Sequence, residues 1–199
     1  METLLHWDTD FFLFLNGWHT DWADVFFWIV SQIWTWLPLY IFILWMLVKK
    51  FGKHSWISIL LFFLIIFCTD QTCNILKNNV KRHRPSHTEA IADDIQLVRK
   101  PNGHYYYGGQ YGFPSAHAAN SMALAIAVFL FFGKEKKKRW ILPAMIAWSL
   151  LLAYSRIYLG VHFPLDILVG FLVGGCWAWL LSRLYHHFQK KISEKSSAY

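Results

Sequence analysis

Ser155-Arg156-Ile157-Tyr158-Leu159-Gly160-Val161-His162-Phe163-Pro164-Leu165-Asp166 joins two of the most apolar runs in this chain. Residues 140–159 lead into it and residues 165–184 lead out. Each run is close to the roughly 20 residues that a helix needs to cross the hydrocarbon core of a bilayer. An Arg, a His and an Asp in such a frame are costly, on the order of 2.5–3.5 kcal/mol each at mid-depth on insertion scales. They mark a functional position where one span ends and the next begins.

Working outward, residues 25–48, 56–76 and 113–132 are apolar runs of the same kind. The 199 residues are 56% hydrophobic, 19% aromatic and 16% charged. A soluble domain carries about 45–50% apolar and about 25% charged residues. The fold class expected is therefore all-α and integral to the membrane. It is one domain over residues 1–199, a bundle of five transmembrane helices. Residues 1–20 differ, because Leu4, Leu5, Trp7, Phe11, Phe12, Phe14 and Leu15 are interrupted by Asp8 and Asp10. No basic stretch precedes them, so they do not read as a signal peptide. They read as an amphipathic helix lying in the interface, with a short sixth span as the competing reading. Pro38 and Pro143 are expected to kink their spans. Gly170 and Gly174 form a GxxxG pair, expected to pack the last span closely on a neighbour.

The net charge of +7 is distributed unevenly. Lys49, Lys50 and Lys53, then Lys134, Lys136, Lys137, Lys138 and Arg139, then Arg183, Lys190, Lys191 and Lys195 fall on one side of a five-span topology. That side holds 12 of the 19 basic residues and the acids Glu135 and Glu194. Lys and Arg near span ends mark the cytoplasm, so residues 186–199 are a polar cytoplasmic tail and the loop 78–112 faces outward. Nucleic-acid binding is the weaker explanation of the charge. The loop is too long for a passive connection. Its Tyr105, Tyr106, Tyr107 and Tyr111 suit either a packed lid or an interfacial belt. Cys68, Cys73 and Cys176 lie within spans, match no thiol or metal motif, and are expected to be buried and inert.

Three polar groups gather on the outward face. Lys77 ends the second span, with Arg84-Pro85 seven residues on; Asp70 and Asn74 precede Lys77 on roughly the same helix face. Pro114-Ser115-Ala116-His117 opens the third span. Ser115 suits an N-cap, and the free N–H groups of the first turn suit a phosphate. Ser155, Arg156, His162 and Asp166 complete the set, with Asp166 one helical turn from His162. Cations would neutralise phosphate oxygens, Arg by forked pairing and Lys as a point charge. One His can attack phosphorus while Asp holds its tautomer; the second can protonate the leaving oxygen and then activate water. A metal site fits poorly, because Pro85 breaks the helix that His83 and His87 would need and no HExxH spacing occurs. His6, His19, His54, His104, His186 and His187 read as interfacial or solvent-facing.

Taken together, Lys77…Arg84-Pro85, Pro114-Ser115-Ala116-His117 and Ser155-Arg156…His162…Asp166 resemble the signature of the type-2 phosphatidic acid phosphatase superfamily, K-x6-RP, PSGH and SR-x5-H-x3-D. The order and both long spacings match. The resemblance implies His162 as the nucleophile of a phosphohistidine intermediate, Asp166 as its orienting partner and His117 as general acid. It implies Lys77, Arg84, Ser115, Ala116 and Arg156 as the phosphate-binding set, with no metal and no cofactor. Ala116 stands where that family usually has Gly, at small cost if the position needs no positive φ. The expected activity is a membrane lipid phosphatase of a bacterial cytoplasmic membrane, with its site facing the periplasm. Lipid A phosphates and undecaprenyl diphosphate are the expected substrates, and phosphatidylglycerol phosphate or phosphatidate the alternative. Phosphotransfer to an alcohol and a silent lipid-binding or transport protein are the rival readings.

Overall fold

The computed structural model describes residues 2–133 and 136–196, with side chains as far as His187. Among the described residues the chain forms seven α-helices: α1 (Glu2–Asn16), α2 (Asp21–Ser31), α3 (Leu37–Phe51), α4 (Ser55–Val80), α5 (Ala116–Phe132), α6 (Ile141–Tyr158) and α7 (Pro164–Ser196). No strand occurs among them, only isolated bridges pairing His83 with Tyr111 and Arg99 with Tyr105. Ile33–Val80, Lys136–Tyr158 and Pro164–His187 are long and apolar enough to cross a bilayer, and Ala116–Phe132 is a shorter apolar helix. Phe63, Phe67, Leu168 and Leu172 are exposed on the outside of the bundle. An apolar surface of that extent is solvated by lipid rather than water. The protein is a multi-pass, all-helical membrane protein.

α5 is the central helix and packs on α4, α6 and α7. Its buried residues include Ala118, Ala119, Ala123, Ala125 and Ala127, which are small and favour a helix. α7 answers with glycine: a Cβ at Gly170 would stand 2.6 Å from the Ser115 carbonyl oxygen, and one at Gly174 only 1.9 Å from that of Ala119. The GxxxG pair thus presses backbone on backbone, as small residues allow between membrane helices. The start of α7 is thereby fixed beside the start of α5, where the Ser115 N–H donates to the Asp166 carbonyl at 2.9 Å. Phe62, Ile65, Val128, Phe131 and Met145 belong to the largest buried apolar cluster. Phe12, Ala118, Ile157, Phe163 and Ile167 form a second cluster, at the end where α5 and α7 begin and α6 finishes.

The expected span 25–48 is broken in two. α2 stops at Ser31, Gln32 is extended, and a 3₁₀ turn at Ile33–Trp36 precedes α3. The break is stable because side chains cap the freed carbonyls of α2. Thr35 Oγ1 donates to Ile29 O at 2.6 Å, Trp36 Nε1 to Val30 O at 2.7 Å and Gln32 Nε2 to Trp28 O at 3.3 Å. Neither proline kinks a span. Pro38 lies in the first turn of α3 and Pro143 in that of α6, where the missing N–H would have had no intrahelical acceptor. The expected polar tail continues α7 as helix to Ser196, while residues 197–199 lie outside the described residues, as do Lys134 and Glu135. Of the cysteines only Cys73 is buried; Cys176 is exposed.

α1 is amphipathic in an inverted sense. Asp8, Phe12 and Asn16, spaced by four, form its buried stripe, while Leu4, Trp7, Phe11 and Phe14 face outward. The stripe meets the corner between α6 and α7 and the loop that follows α4. Asp8 Oδ1 accepts from the Leu165 N–H at 2.8 Å, and Phe12 meets the Phe163 ring edge-on at 5.3 Å. Asn16 Nδ2 donates to the carbonyls of Ile157, Tyr158 and Gln96 at 3.0–3.1 Å. A helix whose whole inner stripe is engaged in this way lies across that corner.

Candidate active site

All the residues singled out in the sequence meet at that corner. Lys77 is in the last turn of α4, and Ser115, Ala116 and His117 open α5. Ser155 and Arg156 close α6, His162 sits in the connection that follows, and Asp166 is in the first turn of α7. Arg84 enters from the loop. Charge couples Lys77, Arg84 and Arg156 to one another and to both His117 and His162. Lys49, Lys50 and Lys53 lie at the opposite ends of the helices, as do Lys136–Lys138 and Arg183.

His162 is 1% exposed and Asp166 is fully buried. Asp166 Oδ2 lies 3.3 Å from His162 Nδ1 and also accepts from the Phe163 N–H at 3.0 Å. A carboxylate acceptor at Nδ1 fixes that nitrogen as the N–H, and Nε2 carries the lone pair. Burial, followed by the charges of Arg84, Arg156 and Lys77, holds the His162 imidazole well below its ordinary pKa. The ring is therefore neutral at pH 7, the form that can attack an electrophile. Gly112 is required for this packing: a Cβ there would stand 3.0 Å from Asp166 Oδ2 and 3.1 Å from Arg84 Cγ.

Arg156 is 2% exposed. Its guanidinium donates to the Ser31 hydroxyl and, at 3.0 Å, to the Tyr106 hydroxyl, while its Nε has no partner among the described residues. The break after α2 is what presents Ser31 to it. Arg84 is aimed by main chain, its Nε donating to Tyr111 O at 3.1 Å and its Nη1 to Val161 O at 3.5 Å. Burial and then Arg156 hold the Arg84 guanidinium below its ordinary pKa. Gly108, at φ +67°, makes room, since a Cβ would come within 2.8 Å of Arg84 Nη1. The Lys77 ammonium makes no hydrogen bond among the described residues; Asn74 bonds to Asp70 at 2.9 Å, and Asp70 reaches Lys77 through charge alone. No carboxylate of the described residues forms an ion pair with Lys77, Arg84 or Arg156. A buried Arg156 flanked by the half-buried Lys77 and Arg84 is costly unless matched by an anion, and a phosphate dianion matches the three.

Ala116 is the first residue of α5 and has no positive φ. The methyl that replaces the family's usual glycine therefore introduces no backbone strain. Ser115 caps the helix through the Ala118 N–H at a long 3.5 Å.

Several residues of the corner were not singled out in the sequence. Arg82 bridges two carboxylates, donating to Asp166 Oδ1 at 2.9 Å and to Asp8 Oδ2 at 2.6 Å, with its guanidinium 4.1 Å from the Phe163 ring centroid. The chain Asp8–Arg82–Asp166–His162 thus ties α1 to the imidazole. The loop packs inward on one side and is exposed on the other. Val98 and Ile91 are buried and Tyr106 reaches Arg156, whereas Tyr105 and Tyr107 are exposed.

Residues 55–190 match the family model described as PAP2 superfamily. The chain belongs to the PAP2 superfamily. It is 37% identical to the lipid A 4'-phosphatase of Bacteroides thetaiotaomicron over 195 residues, covering 96% of this chain and 83% of that one. The crystal structure of Aquifex aeolicus LpxE superposes with a TM-score of 0.63 at 25% identity, over 88% of this chain and 94% of that chain. The transmembrane PAP2-type phosphatidylglycerolphosphate phosphatase of Bacillus subtilis has the same fold, with a TM-score of 0.72 at 21% identity over 96% and 89% of the two chains.

Proposed function

We propose that this PAP2 protein is a membrane lipid phosphatase that removes a phosphate from a lipid A headgroup through a phosphohistidine. The observation that carries the mechanism is the His162 ring, held at Nδ1 by Asp166 with the lone pair on Nε2, beside Lys77, Arg84 and Arg156. The lipid A reading is supported by the similarity to the Bacteroides enzyme along nearly the whole chain. In the first step His162 Nε2 attacks phosphorus and the bond to the lipid oxygen breaks. His117 delivers a proton to that oxygen, so the lipid leaves as a neutral alcohol. Asp166 stabilises the imidazolium character that develops on His162. In the second step His117, now neutral, takes a proton from water. The hydroxide formed attacks the phosphohistidine, and inorganic phosphate departs. Lys77, Arg84, Arg156 and the N–H groups behind Ser115 and Ala116 hold the phosphoryl oxygens in both steps, where fixed charge acts without reorganisation.

The protein is placed in a bacterial cytoplasmic membrane with this corner outward and the loop 78–112 facing the periplasm. The basic residues at the far helix ends support that orientation. The experiment is phosphate release by purified protein from lipid A 4'-phosphate, undecaprenyl diphosphate and phosphatidylglycerol phosphate, side by side. Fastest turnover of the lipid A substrate supports the reading. Preference for either other lipid refutes the substrate assignment, and release from none refutes the phosphatase assignment.

A further inference from the structure

A cavity of about 590 Å³ runs into the bundle from the active site, bounded by α3, α4, α5 and α6. His117 and Ala116 stand at its inner mouth. Ile43, Phe62 and Leu152 line it, and Leu44 and Phe63, both exposed on the lipid-facing surface, form part of its wall. A hydrocarbon chain attached to a headgroup at His162 would find apolar walls here and a way in from the bilayer.

The cavity is not uniformly apolar. Ser121 and Ser149 satisfy each other at 2.7 Å, and Gln32 is bonded to the Trp28 carbonyl. Two buried polar atoms of the lining are left without a partner among the described residues. Asn120 Oδ1, an acceptor, and Trp148 Nε1, a donor, are buried on residues that line the cavity and have no partner among the described residues. A buried polar atom without a partner carries a desolvation penalty, and most such atoms in folded proteins are bonded. An acceptor and a donor offered to one cavity fit a group that both donates and accepts.

Depth identifies where that group sits on the ligand. Asn120 is one turn below His117, about 4.5 Å along α5, and Trp148 is eight residues below Arg156, about 12 Å along α6 at 1.5 Å per residue. His117 marks the level of the scissile oxygen, so a group bound by Asn120 and Trp148 lies further along the ligand, toward its apolar chain. We infer that this cavity binds an acyl chain of the substrate that carries a hydroxyl group near its head end, with Asn120 accepting from that hydroxyl and Trp148 donating to it. The pair is a specificity determinant for hydroxylated acyl chains, and it rests on the lipid-phosphatase reading.

The test uses two synthetic acylated glucosamine phosphates that differ only in whether the acyl chain bears a 3-hydroxyl. kcat/KM is measured for both with wild type, Asn120→Leu and Trp148→Phe in detergent micelles. Wild type is expected to prefer the hydroxylated lipid about tenfold, the worth of one well-made buried hydrogen bond. Each variant is expected to lose most of that preference while hydrolysing the plain lipid at the wild-type rate. Equal wild-type rates on the two lipids overturn the inference whether or not the variants fold. A preference undiminished in both variants overturns it as well, because the hydroxyl is then read elsewhere. Release from neither lipid by wild type is a different failure, that of the phosphatase reading, and removes the inference with it.

Discussion

Gly174→Ala tests whether the contact between α5 and α7 sets the catalytic geometry. The added Cβ would lie 1.9 Å from the Ala119 carbonyl oxygen, whereas ordinary contact begins at 3.4 Å, so the two helices must part locally by about 1.5 Å. The obstacle is backbone, which no rotamer change can relieve. Overpacking of this kind costs about 1–3 kcal/mol, or roughly 2–12 °C in Tm for a chain of this length. α5 carries Ser115 and His117, and α7 carries Asp166. A displacement approaching 1 Å between acid and nucleophile can cost about 100-fold in rate. The assays are thermal unfolding in detergent and phosphate release, with Gly175→Ala as the control. Nothing lies within 4 Å of a Cβ at Gly175, so that variant should unfold at or slightly above the wild-type temperature and keep full activity. A Gly174→Ala protein with wild-type Tm and rate would refute the claim that this contact positions the site.

Arg82→Gln leaves Asp8 and Asp166 buried without their shared cation; breaking such a pair costs about 3–5 kcal/mol. kcat should fall at least about tenfold with KM nearly unchanged, and adding Asp8→Asn should recover part of the lost Tm in a double-mutant cycle. Asn16→Leu strands the carbonyls of Ile157, Tyr158 and Gln96. At least about 2 kcal/mol should be lost, seen as roughly 4–8 °C in Tm. The lowered pKa of His162 makes stability depend on pH. The unfolded chain takes up a proton near pH 6.5 that the folded ring refuses. The stability this represents is complete above pH 6.5 and is lost as pH falls from there toward the folded pKa. Tm of wild type should therefore drop more steeply below pH 6.5 than that of His162→Gln.

The residues of the candidate site stood out because charge is expensive in lipid. Lys77, Arg156, His162 and Asp166 stand out against apolar runs, and alternating helix direction brings them to one end. The close packing at Gly170 and Gly174 was legible for a similar reason, since small residues four apart have one common use in a membrane helix. The break after Ser31 was not, because residues 25–48 are apolar throughout and the capping by Thr35, Trp36 and Gln32 depends on side-chain reach rather than hydropathy. Arg82 was hidden beside Arg84 in a basic run, and only the fold decides which one binds a carboxylate. Asp8 and Asn16 did leave a signal: with Phe12 between them they recur every fourth residue and so share one face of the helix. Ser31 and Tyr106 act through Arg156, far along the chain from both, and no local pattern encodes those distances.

The central claim is that phosphate passes through His162. The most direct measurement is alkaline quenching and mass spectrometry of the protein during turnover of 4-nitrophenyl phosphate, in wild type and in His117→Ala. That leaving group needs no proton, so the variant should form the intermediate and then hydrolyse it slowly. A phosphoryl group on His162 that accumulates in His117→Ala and never appears in His162→Ala is the predicted result. Nitrophenol release that continues in His162→Ala, or turnover with no phosphoryl group on His162 in either protein, would contradict it.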